Sequence, residues 1–349
     1  TSLHRLAGGE QREKLIKELL PERNQGESIT IQGLRYKPET LFVAKLINKA
    51  SGDTEGLVKF YREYDYLHAK RAAEIFGSKG SLVIPKLLVS SEKNHALVFG
   101  WEAGRPLDEA IYQKEFDATT LKRVAKALRE IHQQKPQAVE QVQPTREAET
   151  LTEAASVLSV ISPSLGSKAA LVARKLAHLL SQKRPVYSPV HGDFYPGQVL
   201  VSPEEKITIV DFDRAILADP ARDPGTFCAH LERDFINGRL AYSKMVTLKE
   251  NLIEGYLEDI EEELDIRVRI QLYTAAELFR LAREPFRTRE KDWTKSTEFL
   301  LCRAEMFIED LLPRSITPQK GAGVPVTYPF EIKKTSIFPC SMTHSPRRS

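Results

Sequence analysis

The sequence predicts an α+β protein in two parts, a small antiparallel sheet followed by a larger helical region. Short runs of strand-forming residues, separated by polar turns, recur between Ser28 and Trp101. From Leu121 to Leu312, apolar residues recur mainly at helical spacing. The connecting segment Ala103-Gly104-Arg105-Pro106 contains the glycine and proline that are typical of a linker. We therefore expect a bilobal molecule with a hinge near Gly100.

These changes of pattern divide the chain into four segments. Residues 1–27 are predicted to form an N-terminal helical extension, residues 28–101 a first lobe and residues 102–312 a second lobe. The last segment, residues 313–349, contains six prolines and no helical or alternating pattern, which predicts a poorly ordered tail.

Composition argues against several classes of partner. The chain has 349 residues with 51 Lys and Arg against 48 Asp and Glu, so it lacks the strong positive charge of a nucleic-acid-binding protein. No apolar run reaches the length of a membrane span, and no signal-peptide pattern is present. Three cysteines without metal-ligand spacing favour reduced thiols. We expect a cytoplasmic protein that binds neither nucleic acid nor membrane, and the sequence makes no prediction of oligomeric state.

In the first lobe, one lysine and one glutamate stand out. Lys45 interrupts an otherwise apolar strand predicted from Leu41 to Ile47, where an unpaired ammonium would be unfavourable. A helix is predicted from Gly56 to Glu74, and helical projection places Glu63 at the edge of its buried face. Either Lys45 and Glu63 pair and hold phosphates, or each lies on a solvated surface. The helix is predicted from the spacing of Leu57, Phe60, Tyr61, Tyr64 and Leu67.

The stretch from Val190 to Asp213 carries the strongest chemical signal. It contains two short apolar strands, with Asp193 after the first and Asp211 after the second. Gln198 lies on the loop between them. Carboxylate and amide oxygens are suitable ligands for magnesium, and a carboxylate can accept a hydroxyl proton. The stretch therefore suits metal-assisted phosphoryl transfer; the alternative is a hairpin whose acids are merely exposed at its turns.

The chain resembles the aminoglycoside phosphotransferase family in two motifs, His191-Gly192-Asp193-Phe194-Tyr195-Pro196-Gly197-Gln198 and Ile209-Val210-Asp211-Phe212-Asp213. The resemblance covers most of Ile29 to Leu312 and includes Arg35-Tyr36-Lys37-Pro38 and Asp219-Pro220-Ala221-Arg222-Asp223. Several motifs in the same order are more specific than any one alone. The family consists of small-molecule kinases, so the resemblance implies a protein-kinase-like fold with nucleotide binding in the first lobe and catalysis in the second.

The resemblance also implies roles for single residues. Asp193 would be the catalytic base and Asp211 a magnesium ligand. Lys45 would bind phosphates, with Glu63 as its partner. Asp223 would be a buried carboxylate that braces the catalytic loop.

Three further positions concern the nucleotide and the metal. Family members usually carry Asn where this chain has Gln198, whose amide oxygen can still ligate magnesium from a longer side chain. The segment Gly26 to Gly33 lacks a G-x-G-x-x-G pattern. At the hinge, the backbone of Phe99 and Trp101 is placed to bind the nucleotide base, unless the segment serves only as a linker.

The sequence thus predicts an ATP- and Mg²⁺-dependent phosphotransferase with an alcohol group as acceptor. The acceptor would be a small molecule such as an amino sugar, sugar, amino alcohol or antibiotic. Near the predicted pocket, Glu232 and Asp234 would suit a cationic acceptor, whereas Arg233 and Arg239 would suit an anionic one; the alternative is that each is simply a surface charge. The alternative is a non-catalytic, nucleotide-binding regulatory pseudokinase. A protein kinase is disfavoured because no Ala-Pro-Glu signature follows Asp211.

Overall fold

A computed structural model of the chain describes residues 6, 8–20, 29–135, 140–182 and 186–311. The predicted tail, residues 313–349, lies outside the described residues, and so do both ends of the N-terminal extension. Within that extension, helix α1 (Gly9–Leu19) confirms the predicted helix.

The first lobe is built on a five-stranded antiparallel sheet, which confirms the predicted sheet. The strands are β1 (Ile29–Lys37), β2 (Leu41–Asn48), β3 (Thr54–Tyr61), β5 (Leu87–Ser91) and β6 (Ala96–Gly100). They follow the order β1-β2-β3-β6-β5 in the sheet.

Helices cover both faces of this sheet. On the outer face, α1 buries Leu15 and Leu19 against strand residues such as Val58. On the other face, α2 (Glu63–Ile75) packs Tyr66 against Leu97 of β6. Since both faces are covered, the inner strands carry apolar residues on both sides.

The helix predicted from Gly56 to Glu74 is wrong in its first half. Residues Thr54–Tyr61 form β3, and the helix begins only at Glu63. The physical reason is burial on the sheet: Val58 and Phe60 contribute to the core under α1. Tyr64, which the prediction placed on the buried stripe, is 82% exposed.

The lobes are joined by residues 101–104, which have no regular secondary structure. Beyond this connector lie β7 (Arg105–Pro106) and the short helix α3 (Leu107–Ala110). Strand β7 belongs to a second sheet of order β4-β10-β9-β7, formed with β4 (Leu82–Val83), β9 (Val199–Val201) and β10 (Ile207–Ile209). Strand β4 precedes the connector in the sequence. A short segment of the first part of the chain therefore pairs with a strand of the second lobe.

The second lobe is mainly helical, as predicted. Phe194, Phe227 and Phe279 are fully buried in its core. Strands β8 (Ser188–Val190) and β11 (Ile216–Ala218) pair with each other. Strand β8 comes directly before the loop that begins at His191, and β11 comes after the segment that contains Asp211 and Asp213. None of the helices in the described part of the chain is long and apolar enough to cross a membrane. The helices are α4 (Thr120–His132), α5 (Pro144–Ile161), α6 (Pro163–Ser181), α7 (Arg222–Ile236), α8 (Tyr242–Leu257), α9 (Glu263–Leu281), α10 (Glu284–Arg287) and α11 (Trp293–Leu311).

Candidate active site between the lobes

The loop from His191 to Gln198 connects β8 to β9 and turns sharply at Gly192. Gly192 has a φ of +80°, and a Cβ atom there would collide with the backbone carbonyl of Arg214. Only glycine adopts this conformation without strain and allows so close an approach. The chain can therefore place Asp193 directly after a buried strand and against the loop that follows β10.

A buried carboxylate fixes the start of this loop. Asp223, at the N-terminal end of α7, has no exposed surface and accepts hydrogen bonds from the N–H groups of His191 (2.7 Å) and Gly192 (3.0 Å). His132 Nε2 lies 2.9 Å from the same carboxylate, and His132 Nδ1 lies 2.8 Å from the Tyr256 hydroxyl. Burial disfavours the charge, but the hydrogen bond from His132 and the charges of both histidines outweigh it and lower the pKa of Asp223. The prediction that Asp223 braces the loop is confirmed.

His191 links this loop to the segment after β10. Its side chain is buried, and Nε2 lies 2.8 Å from the carbonyl oxygen of Val210. The ring also packs on Phe212, with centroids 4.8 Å apart. The positions of Asp193 and Asp211 are therefore coupled through one buried side chain.

Asp193 itself lies at the surface of the loop. Its side chain is 35% exposed, and Oδ2 lies 3.9 Å from Nε of Arg214. A carboxylate in this position is accessible to a substrate, unlike the fully buried Asp223.

The two acids after β10 meet a lysine from the first lobe. Lys59 of β3 donates hydrogen bonds to Asp211 and to Oδ1 of Asp213, the latter at 3.0 Å, and its side chain is 8% exposed. Tyr61 also donates to Oδ1 of Asp213 at 3.0 Å. Burial opposes the lysine charge, but the carboxylates of Asp213 and Asp211 outweigh it and raise the pKa of Lys59. These contacts connect the lobes across the cleft.

Asp211 and Gln198 lie side by side. Gln198 is 5% exposed, and its Nε2 donates to Oδ2 of Asp211 at 3.2 Å. The N–H of Val210 donates to the backbone carbonyl of Gln198 at 3.0 Å, which fixes the two segments relative to each other. Asp211 adopts left-handed backbone angles, with φ of 69° and ψ of 54°. Such a conformation in a non-glycine residue is often found at functional sites.

The side chains of Asp211 and Gln198 carry oxygen atoms of the kind that ligate a hard cation such as Mg²⁺. Within the described residues, no group of three or more His, Cys, Asp or Glu side chains could hold a metal ion. Magnesium is commonly held by one or two protein oxygens together with substrate phosphates and water. Asp211 and Gln198 would supply one carboxylate and one amide oxygen to such a partial set, and the side chain of Gln198 reaches Asp211 through its Nε2.

Lys45 and Glu63 do not lie together in the structure, so the expectation that they form an ion pair is corrected. Lys45 lies on β2 with its Nζ 4.6 Å from the centroid of the Trp101 ring. Glu63 is exposed at the first turn of α2. No salt bridge links them in the described part of the chain. The lysine that reaches the acids is Lys59, which sequence reasoning missed because its strand was predicted to be helical.

Phe99 and Trp101, predicted to bind the nucleotide base through their backbone, lie at the end of β6 and just after it. The Phe99 ring centroid is 5.8 Å from Nζ of Lys59, and Trp101 is 39% exposed. The N–H of Gly100 already donates to the carbonyl of Lys86 at 2.9 Å. The location at the connector agrees with the prediction, whereas base binding stays a prediction.

Two residues considered for acceptor binding, Glu232 and Asp234, are buried and form contacts inside the second lobe. Glu232 is fully buried and pairs with Lys249 and Arg303. Asp234 is 3% exposed and accepts a hydrogen bond from the Tyr112 hydroxyl at 2.8 Å. Neither carboxylate is open to a cationic acceptor, so their assignment to acceptor binding is not supported.

Comparisons with known proteins identify the family and the fold of the chain. The sequence profile of the phosphotransferase enzyme family, APH, matches residues 35–263. No curated protein sequence is significantly similar to the chain.

Several solved structures share the fold. A thermostable mutant of the aminoglycoside phosphotransferase APH(4)-Ia superposes with a TM-score of 0.62 at 14% identity, covering 85% of this chain and 98% of the other. A choline/ethanolamine kinase family protein from Mesorhizobium loti has a TM-score of 0.56 at 16% identity, covering 85% and 94%. An ethanolamine kinase from Plasmodium vivax has a TM-score of 0.59 at 15% identity, covering 84% and 86%. The predicted bilobal, protein-kinase-like fold is confirmed.

Proposed function

Because the chain belongs to the phosphotransferase enzyme family, we propose that it transfers the γ-phosphate of ATP to a hydroxyl group of a small molecule in the presence of Mg²⁺. Membership confirms the predicted class of enzyme, a phosphotransferase. ATP, magnesium and the nature of the acceptor are the parts that we propose.

One observation carries the proposal. Lys59 from the first lobe meets Asp211 from the second, and Asp211 lies beside Gln198 on the loop that also carries Asp193. Phosphoryl transfer requires a cation near the phosphates, oxygen ligands for a metal and a base near the acceptor hydroxyl. The four side chains offer these groups within one cleft.

Each residue then has a distinct role. Asp193, the most exposed of the acids, accepts the proton of the acceptor hydroxyl. Lys59 binds phosphate oxygens, a role that the sequence had assigned to Lys45. Asp211 and Gln198 hold Mg²⁺ through their oxygens; the ion, when bound, would neutralise charge on the phosphates. Asp223 keeps the loop in position without contacting the substrate.

A nucleotide-consumption screen tests the proposal. Purified protein with Mg²⁺ and ATP is incubated with a panel of sugars, amino sugars, amino alcohols and aminoglycosides, and ADP release is measured. We expect at least one acceptor to stimulate ADP release, and Asp193→Asn to lower this rate about 100-fold or more, the usual contribution of a general base. Nucleotide affinity should stay within about threefold of wild type, because the base does not contact the nucleotide.

The matched control is Asp53→Asn, which changes an exposed aspartate in the turn between β2 and β3. It should leave the rate unchanged. Retention of acceptor-dependent ADP release by Asp193→Asn would show that the base is wrongly assigned. Tight binding of ATP without turnover on any acceptor would instead favour the regulatory pseudokinase.

A further inference from the structure

The hairpin between β1 and β2 offers few backbone donors to a phosphate. Glycine-rich loops of kinases cover phosphates through backbone N–H groups and close approach. Here the turn is Pro38-Glu39-Thr40, without a glycine. Pro38 has no N–H group, and the N–H of Thr40 already donates to the carbonyl of Lys37 at 3.1 Å. If the hairpin contacts the nucleotide, side chains must provide most of the contact.

Two basic side chains of this hairpin lie on the cleft face of the sheet. Directly paired residues of antiparallel strands project from the same face. Arg35 pairs with Val43, which in turn pairs with Lys59. Lys37 pairs with Leu41, which in turn pairs with Tyr61, the residue that donates to Asp213. Arg35 and Lys37 therefore share the face of the two side chains that reach the second-lobe acids.

Lys37 lies in a cluster of like charges. It is half-buried. Among the ion pairs of the described residues, such as Lys59–Asp213 and Arg214–Asp193, none includes Lys37 or Arg35. Burial, followed by the positive charges of Arg35, Arg214 and Arg287, lowers the pKa of Lys37, while Asp211 opposes this effect. Such a cluster is unfavourable by itself and is relieved when an anion binds.

Arg214 approaches the same place from the second lobe. It follows Asp213 in the chain, its side chain is 69% exposed, and its Nε lies 3.9 Å from Oδ2 of Asp193. Among the described residues, the only carboxylate within salt-bridge distance of Arg214 is therefore the candidate base, at the limit of that distance. Arg287 of α10 differs, because it is paired with Glu284. Of these cations in the described part of the chain, Arg35 and Lys37 have no carboxylate within salt-bridge distance and Arg214 has only Asp193 at its limit. Arg35 and Lys37 share the sheet face of Lys59, and the charge of Arg214 acts on Lys37.

We propose that Lys37 and Arg214, supported by Arg35, form a cationic clamp for the terminal phosphate of the nucleotide, in place of the backbone amides of a glycine-rich loop. The clamp rests on the proposed function, because it assumes a nucleoside triphosphate in the cleft. An anionic group on the acceptor is the competing ligand for the same charges. If the clamp binds the terminal phosphate, it distinguishes AMP-PNP from ADP in the absence of an acceptor. If it binds an anionic group of the acceptor, it does not.

Calorimetric titration with Mg²⁺–AMP-PNP and with Mg²⁺–ADP tests the clamp without an acceptor. Lys37→Met should weaken AMP-PNP binding about tenfold or more, because a charge-assisted contact to the terminal phosphate is lost. ADP binding should change by about twofold or less, since ADP lacks that phosphate. Arg214→Met should show the same selectivity, whereas Lys37→Arg, which keeps the charge, should retain most of the AMP-PNP affinity.

Lys49→Met is the matched control, an exposed lysine in the turn at the opposite end of β2, and should change neither affinity. Thermal unfolding without nucleotide should show Lys37→Met to be folded and at least as stable as wild type, because a repulsive charge is removed. Equal losses of AMP-PNP and ADP affinity, or no loss of either, would overturn the clamp while leaving the proposed kinase intact. Failure of the wild-type protein to bind either nucleotide would overturn both.

Discussion

On the second-lobe side of the cleft, the loop from His191 to Gln198 is fixed by buried hydrogen bonds to Asp223. On the first-lobe side, Lys59 has its two carboxylate partners, Asp211 and Asp213, in the other lobe. The loop therefore depends on contacts within one core, whereas the position of the lysine depends on the approach of the two lobes.

Substitutions on the two sides of the cleft are therefore expected to change different properties. Changes in the network around Asp223 should act first on folding stability, because they leave buried polar groups without partners. Changes at the cations of the first lobe should act first on nucleotide affinity, because their partners are ligands or groups across the cleft.

The largest stability effect is expected for Asp223→Ala. The substitution leaves the N–H groups of His191 and Gly192 and the ring of His132 without their common acceptor. We expect a loss of about 3–5 kcal/mol in the free energy of unfolding, as found when one partner of a buried charged network is removed. Urea unfolding followed by circular dichroism measures it.

Asp65→Ala is the control for this experiment. Asp65 pairs with Arg62 on the surface of α2, at 2.7 Å, and exposed pairs of this kind contribute about 0.5 kcal/mol or less. If Asp223→Ala were no less stable than Asp65→Ala, the buried network would not be what holds the loop.

A smaller effect is expected from pH, through His230 on the same side of the cleft. His230 is 7% exposed, stacks on Tyr195 at 4.5 Å, and its Nδ1 has no hydrogen-bond partner in the described residues. Burial, with a contribution from Arg233, lowers its pKa well below 6.5. Below pH 6.5 the unfolded chain therefore binds a proton that the folded protein does not, so stability falls as the pH falls, by up to about 1.4 kcal/mol per pH unit.

Urea unfolding at pH 7.5, 6.5 and 5.5 tests this dependence. His230→Phe should lose about 1 kcal/mol less than wild type between pH 6.5 and 5.5. His178→Asn, at an exposed position of α6, should keep the wild-type dependence. Parallel curves for wild type and His230→Phe would contradict a neutral, buried His230.

The sequence identified the stretch on the second-lobe side of the candidate site because its candidate residues are close in the chain. Asp193, Gln198 and Asp211 lie within one short stretch, and two strands with a loop are enough to bring their side chains near each other. Asp223 was found through its position at the start of a helix within a family motif. For Gln198 and Asp211 proximity in sequence coincided with proximity in space, whereas the contacts of Asp223 with His191 and Gly192 were implied by the family motif.

The first-lobe side was predicted poorly because its strand is covered on both faces. Leu57, Val58, Phe60 and Tyr61 are all apolar or aromatic, so the alternation typical of a half-exposed strand is lost and helical spacing fits equally well. The available signal was the continuous run Gly56-Leu57-Val58-Lys59-Phe60-Tyr61, rich in strand-forming residues. The partner of Lys59 could not be predicted from spacing, because about 150 residues separate it from Asp211.

We propose that Lys59, and not Lys45, is the lysine that binds nucleotide phosphates. Calorimetric titration of Lys59→Met and Lys45→Met with Mg²⁺–AMP-PNP tests this most directly, with circular dichroism to confirm folding. We predict that Lys59→Met weakens binding about tenfold or more, whereas Lys45→Met stays within about twofold of wild type. Weakened binding in Lys45→Met together with wild-type affinity in Lys59→Met would show that Lys45, and not Lys59, binds the phosphates.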